Sequence, residues 1–228
     1  MNAQLDHPID AVVAAIRSTL AGRVMTPNSA DYDGARRVFY GGADPHPAAI
    51  IRVANADEVA RLIELARTSG VELSVRSGGH SLAGHSSVSG SLVIDLSERK
   101  GIDLDTGSRT AWVETGLTAR ELTSVLAEHE LAIGFGDTGL VGIGGTTLGG
   151  GQGFLSRKLG LTIDSLLAAE MVTADGEVRV VDADREPDLF WAIRGGGGNF
   201  GVATRLRFQL HELGQVVGGT LVLPATPG

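Results

Sequence analysis

The sequence predicts an α+β protein, and three observations point there. A strand–helix–strand order occupies residues 49–75, which suggests a layer of helix on strand. Short apolar segments follow it, ending in a hairpin pattern over residues 165–181. Glycine, 33 of the 228 residues, gathers at 78–79, 134–153 and 195–201. Such clusters in a chain that is 43% hydrophobic suggest backbone packed closely against a ligand.

Each element has its own signal. Ile9, Val12, Val13, Ile16 and Leu20 form one helical stripe. Residues 31–39 read as a short helix or an irregular segment. Residues 49–53 are apolar and β-branched, hence a strand. Asn55 caps the next helix, with Asp57 and Glu58 favourably placed in its first turn. Val59, Leu62, Ile63 and Ala66 make its buried face, and Gly70 ends it. Residues 71–75, 92–95 and 110–114 are strands, the last alternating around Trp112. Thr118 and Glu121 form a capping box for a helix expected to reach Glu130. The glycines of 134–153 exclude a packed helix interior and predict loop or short turns. One helical turn is expected within 154–159. Residues 165–173 and 177–181 pair around Ala174-Asp175-Gly176. Pro187 opens a short helix to Ile193, with Phe190 and Trp191 read as core. Residues 202–210 form a strand, and residues 220–223 resemble the first strand of a further unit.

Length fits one large domain or two small ones. The net charge of -8, with only Lys100 and Lys158 as lysines and no basic block, argues against a nucleic-acid partner. The chain has no cysteine, so disulfides and thiolate metal sites are excluded. No apolar run approaches the ~18 residues of a membrane span, and no secretory leader is evident. A soluble, cytoplasmic protein is the expectation.

Residues 74–81, Ser-Val-Arg-Ser-Gly-Gly-His-Ser, carry the chemistry. Gly78 and Gly79 permit a tight turn whose successive N–H groups suit a phosphate. Arg76 would add charge, and Ser77 and Ser81 hydroxyl donors. His80 then stands on a stiff turn beside an anion site. The alternatives stay open at this point: a plain turn with a surface histidine, and an Arg76 paired to a nearby carboxylate. Of two matches to G-x-G-x-x-G, the one at 196–201 has a helix-like segment before and a strand after, and the one at 134–139 is followed by more glycine, so neither has the strand–turn–helix context that a dinucleotide site needs. No Walker lysine and no Gly-x-Ser-x-Gly elbow occur. His80 and His85 lack a third ligand for zinc. His7, His46, His129 and His211 read as surface residues.

Taken together, Arg76-Ser-Gly-Gly-His80-Ser, Leu92-Val-Ile-Asp-Leu, Gly142-Ile-Gly-Gly-Thr-Thr-Leu-Gly-Gly-Gly151, the run 155–164, Val172-Thr-Ala-Asp-Gly176 and the run 188–201 resemble one family. It is the FAD-binding domain of FAD-linked oxidases of the vanillyl-alcohol oxidase and p-cresol methylhydroxylase type, in the berberine bridge enzyme-like branch. The resemblance implies a two-subdomain FAD-binding fold over 26–213 (about 26–100 and 101–213). An N-terminal helix and lead-in precede it at 1–25. Residues 214–228 are the start of a substrate domain that is absent, or a tail.

The resemblance further implies that His80 bonds covalently to the flavin 8α-methyl carbon and that the loop before it cradles the pyrophosphate. It places Gly142, Gly144, Gly145, Thr147, Gly150, Gly151 and Gly153 near the flavin and pyrophosphate. Gly198, Asn199, Gly201 and Val202 would reach the adenosine end. Thr138 stands where some members carry a cysteinyl link, so only the histidyl link is expected, and Val141 stands where oxygen access is influenced. His85 would touch the flavin or be solvated, and Asp164 would orient the adenine end or cap a turn. No metal is implied. The catalytic base is not identified. Two functions are carried forward. One is an FAD-linked oxidoreductase, or its flavin half, oxidising a small organic molecule with oxygen or another acceptor. The other is an FAD-binding module or truncated fragment that needs a substrate-domain partner chain or self-association.

Overall fold

The computed structural model describes residues 8–20 and 23–223, so His7 and residues 224–228 lie outside the described part. Its elements in chain order are helix α1 (Pro8–Leu20), strand β1 (Val24–Met25), helix α2 (Tyr32–Ala35), strand β2 (Ala49–Arg52), helix α3 (Ala56–Ser69), and strands β3 (Leu73–Arg76) and β4 (Leu92–Asp95). Strands β5 (Ile102–Asp105) and β6 (Thr110–Glu114), helix α4 (Ala119–Ala127), strand β7 (Leu131–Ala132), and helices α5 (Ile143–Leu148) and α6 (Ser156–Leu159) follow. The chain continues with strands β8 (Leu166–Val172) and β9 (Val178–Asp182), helix α7 (Pro187–Ile193), and strands β10 (Val202–Gln209) and β11 (His211–Glu212).

Two sheets organise these elements. The first runs β1-β2-β4-β3, with β2, β4 and β3 parallel and β1 antiparallel on the edge. Its central strand β4, Leu-Val-Ile-Asp, is buried at all four positions, as a parallel strand covered on both faces should be. Helix α3 covers one face with Val59, Leu62, Ile63 and Ala66. Asn55 accepts from Glu58 N and Gly70 ends the helix at φ 68°, as the sequence predicts. Helix α1 joins the same core through Val12 and Ile16.

The register of this sheet has an electrostatic consequence. Arg52 on β2 and Arg76 on β3 both stand opposite Asp95 on β4. Asp95 is completely buried, yet its carboxylate accepts from Arg76 Nη2 at 2.9 Å and lies 3.7 Å from Arg52 Nε. A buried carboxylate needs such partners.

The second sheet, β5-β6-β10-β8-β9, is antiparallel throughout. Helix α4 packs Leu122 and Leu126 into its core, together with Leu206, Phe208 and Ile193. The capping box of Thr118 and Glu121 is formed on both sides. The predicted hairpin is the β8–β9 pair. Between the sheets, Arg99 is 4% exposed and holds Glu114 of β6 at 2.8 Å while donating to the Ala54 carbonyl at 2.8 Å. This one side chain ties the loop before α3 to the second sheet.

Several expectations need correction. Helix α5 forms inside the glycine-dense segment, where none was expected, because Ile143, Thr147 and Leu148 are buried by tertiary contacts that outweigh glycine's propensity. Helix α4 stops at Ala127, short of Glu130, which takes a left-handed φ of 57°. Strand β5 was not foreseen: it is an edge strand reading Ile-Asp-Leu-Asp, half-buried at alternate positions. Residues 220–223 form no strand and are exposed. Phe190 is core, but Trp191 on the same helix is 79% exposed. His211 is half-buried, its Nε2 3.0 Å from Ser165 Oγ, and not a plain surface residue. No helix of the described residues is long and apolar enough to cross a membrane.

Candidate cofactor-binding site

A cleft of about 740 Å³ lies where the two sheets meet. That volume falls within the ~300–1,000 Å³ of ordinary cofactor and ligand sites. Its walls are the loop after β3, the loop at 85–88, Thr115 beyond β6, the start of α5, and the approach to β10.

The loop after β3 is held against the second sheet by backbone contact. A Cβ on Gly78 would stand 2.8 Å from Gly142 Cα, and one on Gly142 2.9 Å from Gly78 Cα. Only glycine at both positions lets the chains touch this closely. Ser77 Oγ donates to the Thr115 carbonyl at 2.5 Å, a second tie across the joint. The turn itself needs Gly79 at φ 71°. By contrast, a Cβ on Gly145 or Gly198 would meet nothing within 4 Å. Both line the cleft, so their bare backbone faces open space that a ligand can enter.

His80 lines the cleft at the end of this turn. Its ring stacks on Phe39 with centroids 4.3 Å apart and planes 14° from parallel. Phe39 N donates to the Gly79 carbonyl at 3.0 Å, which fixes the pair. Burial holds the imidazole below the usual histidine value, so the neutral ring is favoured. Neither ring nitrogen has a hydrogen-bond partner among the described residues.

The cleft gathers Ser77, Gly78, Gly79, His80, Ser81, His85, Val141, Gly142, Gly144, Gly145, Gly198, Asn199, Gly201 and Val202 from the sequence-predicted set. It does not gather the rest. Arg76 turns away, its guanidinium on Asp95 and on the Ala35 and Arg37 carbonyls. That is the carboxylate pairing left open above. Thr147 is buried, its hydroxyl donating to Ile143 O at 2.7 Å. Gly151 and Gly153 pack against Thr162 and Phe135, and Gly150 accepts from Ile163 N at 3.0 Å. Thr138 donates to Asp137, and Asp164 caps the turn at Leu161 N at 2.8 Å. Sequence reasoning missed Thr115, Thr146 and Ser86 as lining residues. Thr146 lies within the quoted glycine-rich run 142–151 but was not singled out there, whereas Thr115 and Ser86 belong to no motif and reach the cleft only when the chain folds.

Residues 47–182 match the family described as the FAD binding domain. The chain belongs to the FAD-binding domain family of FAD-linked, berberine bridge enzyme-like oxidases. It is 38% identical to (R)-6-hydroxynicotine oxidase of Paenarthrobacter nicotinovorans over 86% of this chain and 43% of that protein. It is 30% identical to the solved berberine bridge enzyme-like 1 of Physcomitrella patens, with TM-score 0.82 over 90% of this chain and 44% of that one. Glucooligosaccharide oxidase of Acremonium strictum, whose FAD is 6-S-cysteinyl and 8α-N1-histidyl, is also 30% identical, with TM-score 0.81 over 90% of this chain and 43% of that one. The chain therefore spans less than half the length of these relatives.

Proposed function

We propose that the cleft binds FAD, that His80 provides its covalent anchor, and that the chain is the flavin-carrying part of an oxidoreductase acting on a small organic molecule. The observation that carries this reading is His80: an imidazole whose burial favours the neutral form, stacked on Phe39, with both ring nitrogens unengaged at the rim of a glycine-lined cleft. A neutral ring nitrogen has the lone pair that bonding to the flavin 8α-methyl carbon requires. With no cysteine in the chain, a second thioether link has no donor. The turn at 77–81 and the bare backbone at Gly145 and Gly198 suit the cofactor, because close approach needs the absence of side chains.

When bound, flavin would supply two-electron acceptor chemistry. This chain's own residues hold and orient. The Gly78–Gly142 contact fixes the cleft wall, and Phe39 fixes the His80 ring plane.

The test is acid precipitation of purified protein. A yellow pellet is expected, and His80→Ala should move all colour to the supernatant while keeping reversible FAD binding. Colour in the wild-type supernatant over a white pellet would remove the covalent role of His80. No colour anywhere after incubation with FAD would remove FAD binding itself. A second reading, an FAD-binding module without turnover of its own, is favoured by one observation. Among the described residues the ionisable groups lining the cleft are Glu72, His80 and His85 alone. Bleaching of the bound flavin by an organic substrate would decide against that second reading.

A further inference from the structure

Among the described residues, His80 is held by its ring face and not by its ring nitrogens. Phe39 stacks on it with centroids 4.3 Å apart and planes 14° from parallel. A hydrogen bond would fix an imidazole too, but it would occupy a ring nitrogen. Stacking fixes the plane and leaves both nitrogens free, because the lone pair and the N–H point outward along the ring edge. Phe39 is not a lining residue of the cleft, so it bears on the site through His80.

The segment that carries Phe39 is tied down along its length. Residues 36–48 contain no helix or strand, and Phe39 itself is 61% exposed. Arg36 nevertheless donates to Asp33 at 2.8 Å, to Asp44, and to the Pro45 carbonyl at 3.1 Å. The Tyr32 hydroxyl donates to the Pro47 carbonyl at 2.6 Å. Arg76 donates to the Ala35 and Arg37 carbonyls, and Phe39 N to the Gly79 carbonyl at 3.0 Å. These bonds hold an irregular, exposed loop in one place, and that place sets Phe39 against His80.

We propose that Phe39 is a positioning residue for covalent attachment of FAD, presenting the edge of the His80 ring to the flavin 8α carbon. The assignment rests on the covalent FAD reading above. In that step one nitrogen of the neutral ring bonds the 8α carbon, while the N–H of the other nitrogen and one 8α C–H bond break. The two electrons and two protons released reduce dioxygen to hydrogen peroxide. Holding the reacting atoms in line near contact speeds such a step.

The experiment mixes flavin-free protein, made under riboflavin limitation, with saturating FAD in air and follows acid-precipitable flavin with time. Phe39→Ala should slow attachment about tenfold, the rate equivalent of one lost aromatic contact. Phe39→Tyr should restore the parent rate. Phe39→Leu, which keeps apolar bulk without a flat face, should not. In His80→Ala protein, where binding is reversible, adding Phe39→Ala should leave FAD affinity unchanged, whereas a merely structural role would weaken affinity along with rate. Attachment at the parent rate in Phe39→Ala, full rescue by Phe39→Leu, or equal losses of rate and affinity would each overturn the role of Phe39 alone. No attachment in the parent protein would overturn the covalent reading and the role of Phe39 with it.

Discussion

Gly142 and Gly145 lie three residues apart and carry opposite constraints. A Cβ at Gly142 would press on the Gly78 backbone, whereas one at Gly145 would enter the open cleft. Backbone cannot swing aside as a flexible side chain can, so Gly142→Ala should cost about 1–3 kcal/mol, the usual range for overpacking. Urea denaturation of flavin-free protein measures it. Gly145→Ala should keep or raise stability by up to about 1 kcal/mol, since it sits within a helix. Its flavin content, read from visible absorbance, should nevertheless fall. Full flavin content in Gly145→Ala would mean that the cofactor does not approach this stretch of backbone. Arg76 teaches a related lesson at the same scale. Its place in the loop motif suggested a phosphate, but register puts it opposite a buried Asp95, and an unpaired buried carboxylate is far costlier than an unused surface anion site.

At the scale of the element, helix α4 shows local sequence deciding local structure. The Thr118 hydroxyl accepts from Glu121 N, and Glu121 returns a bond to Thr118 N at 2.7 Å. Leu122 and Leu126 on this helix are fully buried, so the start of the helix bears directly on the core. Thr118→Ala should cost about 1 kcal/mol, with Thr118→Ser restoring most of it. Chemical denaturation of the three proteins checks both; no loss in the alanine variant would show that the hydroxyl does not hold this terminus. Helix α5 is the contrary case. Its glycines argue against a helix when read alone, and burial of Ile143 and Leu148 against the second sheet forms one all the same.

For the whole molecule, the joint between the two sheets is the part on which the cleft depends. Arg99 spans it, bonded to Glu114 on one side and Ala54 on the other. Arg99→Ala removes one partner of a largely buried pair. The full cost of such a break is about 3–5 kcal/mol, and because Glu114 keeps 23% exposure, about 2–3 kcal/mol is expected. Since the cleft lies on this joint, the variant should also lose flavin more readily on dialysis than a core variant of comparable destabilisation, such as an Ile→Ala change in the first sheet. Equal flavin loss in the two would separate the joint from the cofactor site.

By itself the sequence determined the α+β class, both helix caps, the β8–β9 hairpin, the turn at Gly78–Gly79 and the family. These features rest on local chemistry, in which each residue's neighbours in the chain are also its neighbours in space. Tertiary structure alone decided which of the candidate residues reach the cleft. It sent Arg76 to Asp95, Gly151 to Thr162 and Trp191 to solvent, and it brought Thr115 and Ser86 to the cleft wall from separate parts of the chain. The reason is physical. A turn or a cap is settled by bonds spanning three or four residues, whereas the two walls of this cleft approach one another only after two sheets have packed, and sequence spacing holds no record of that distance.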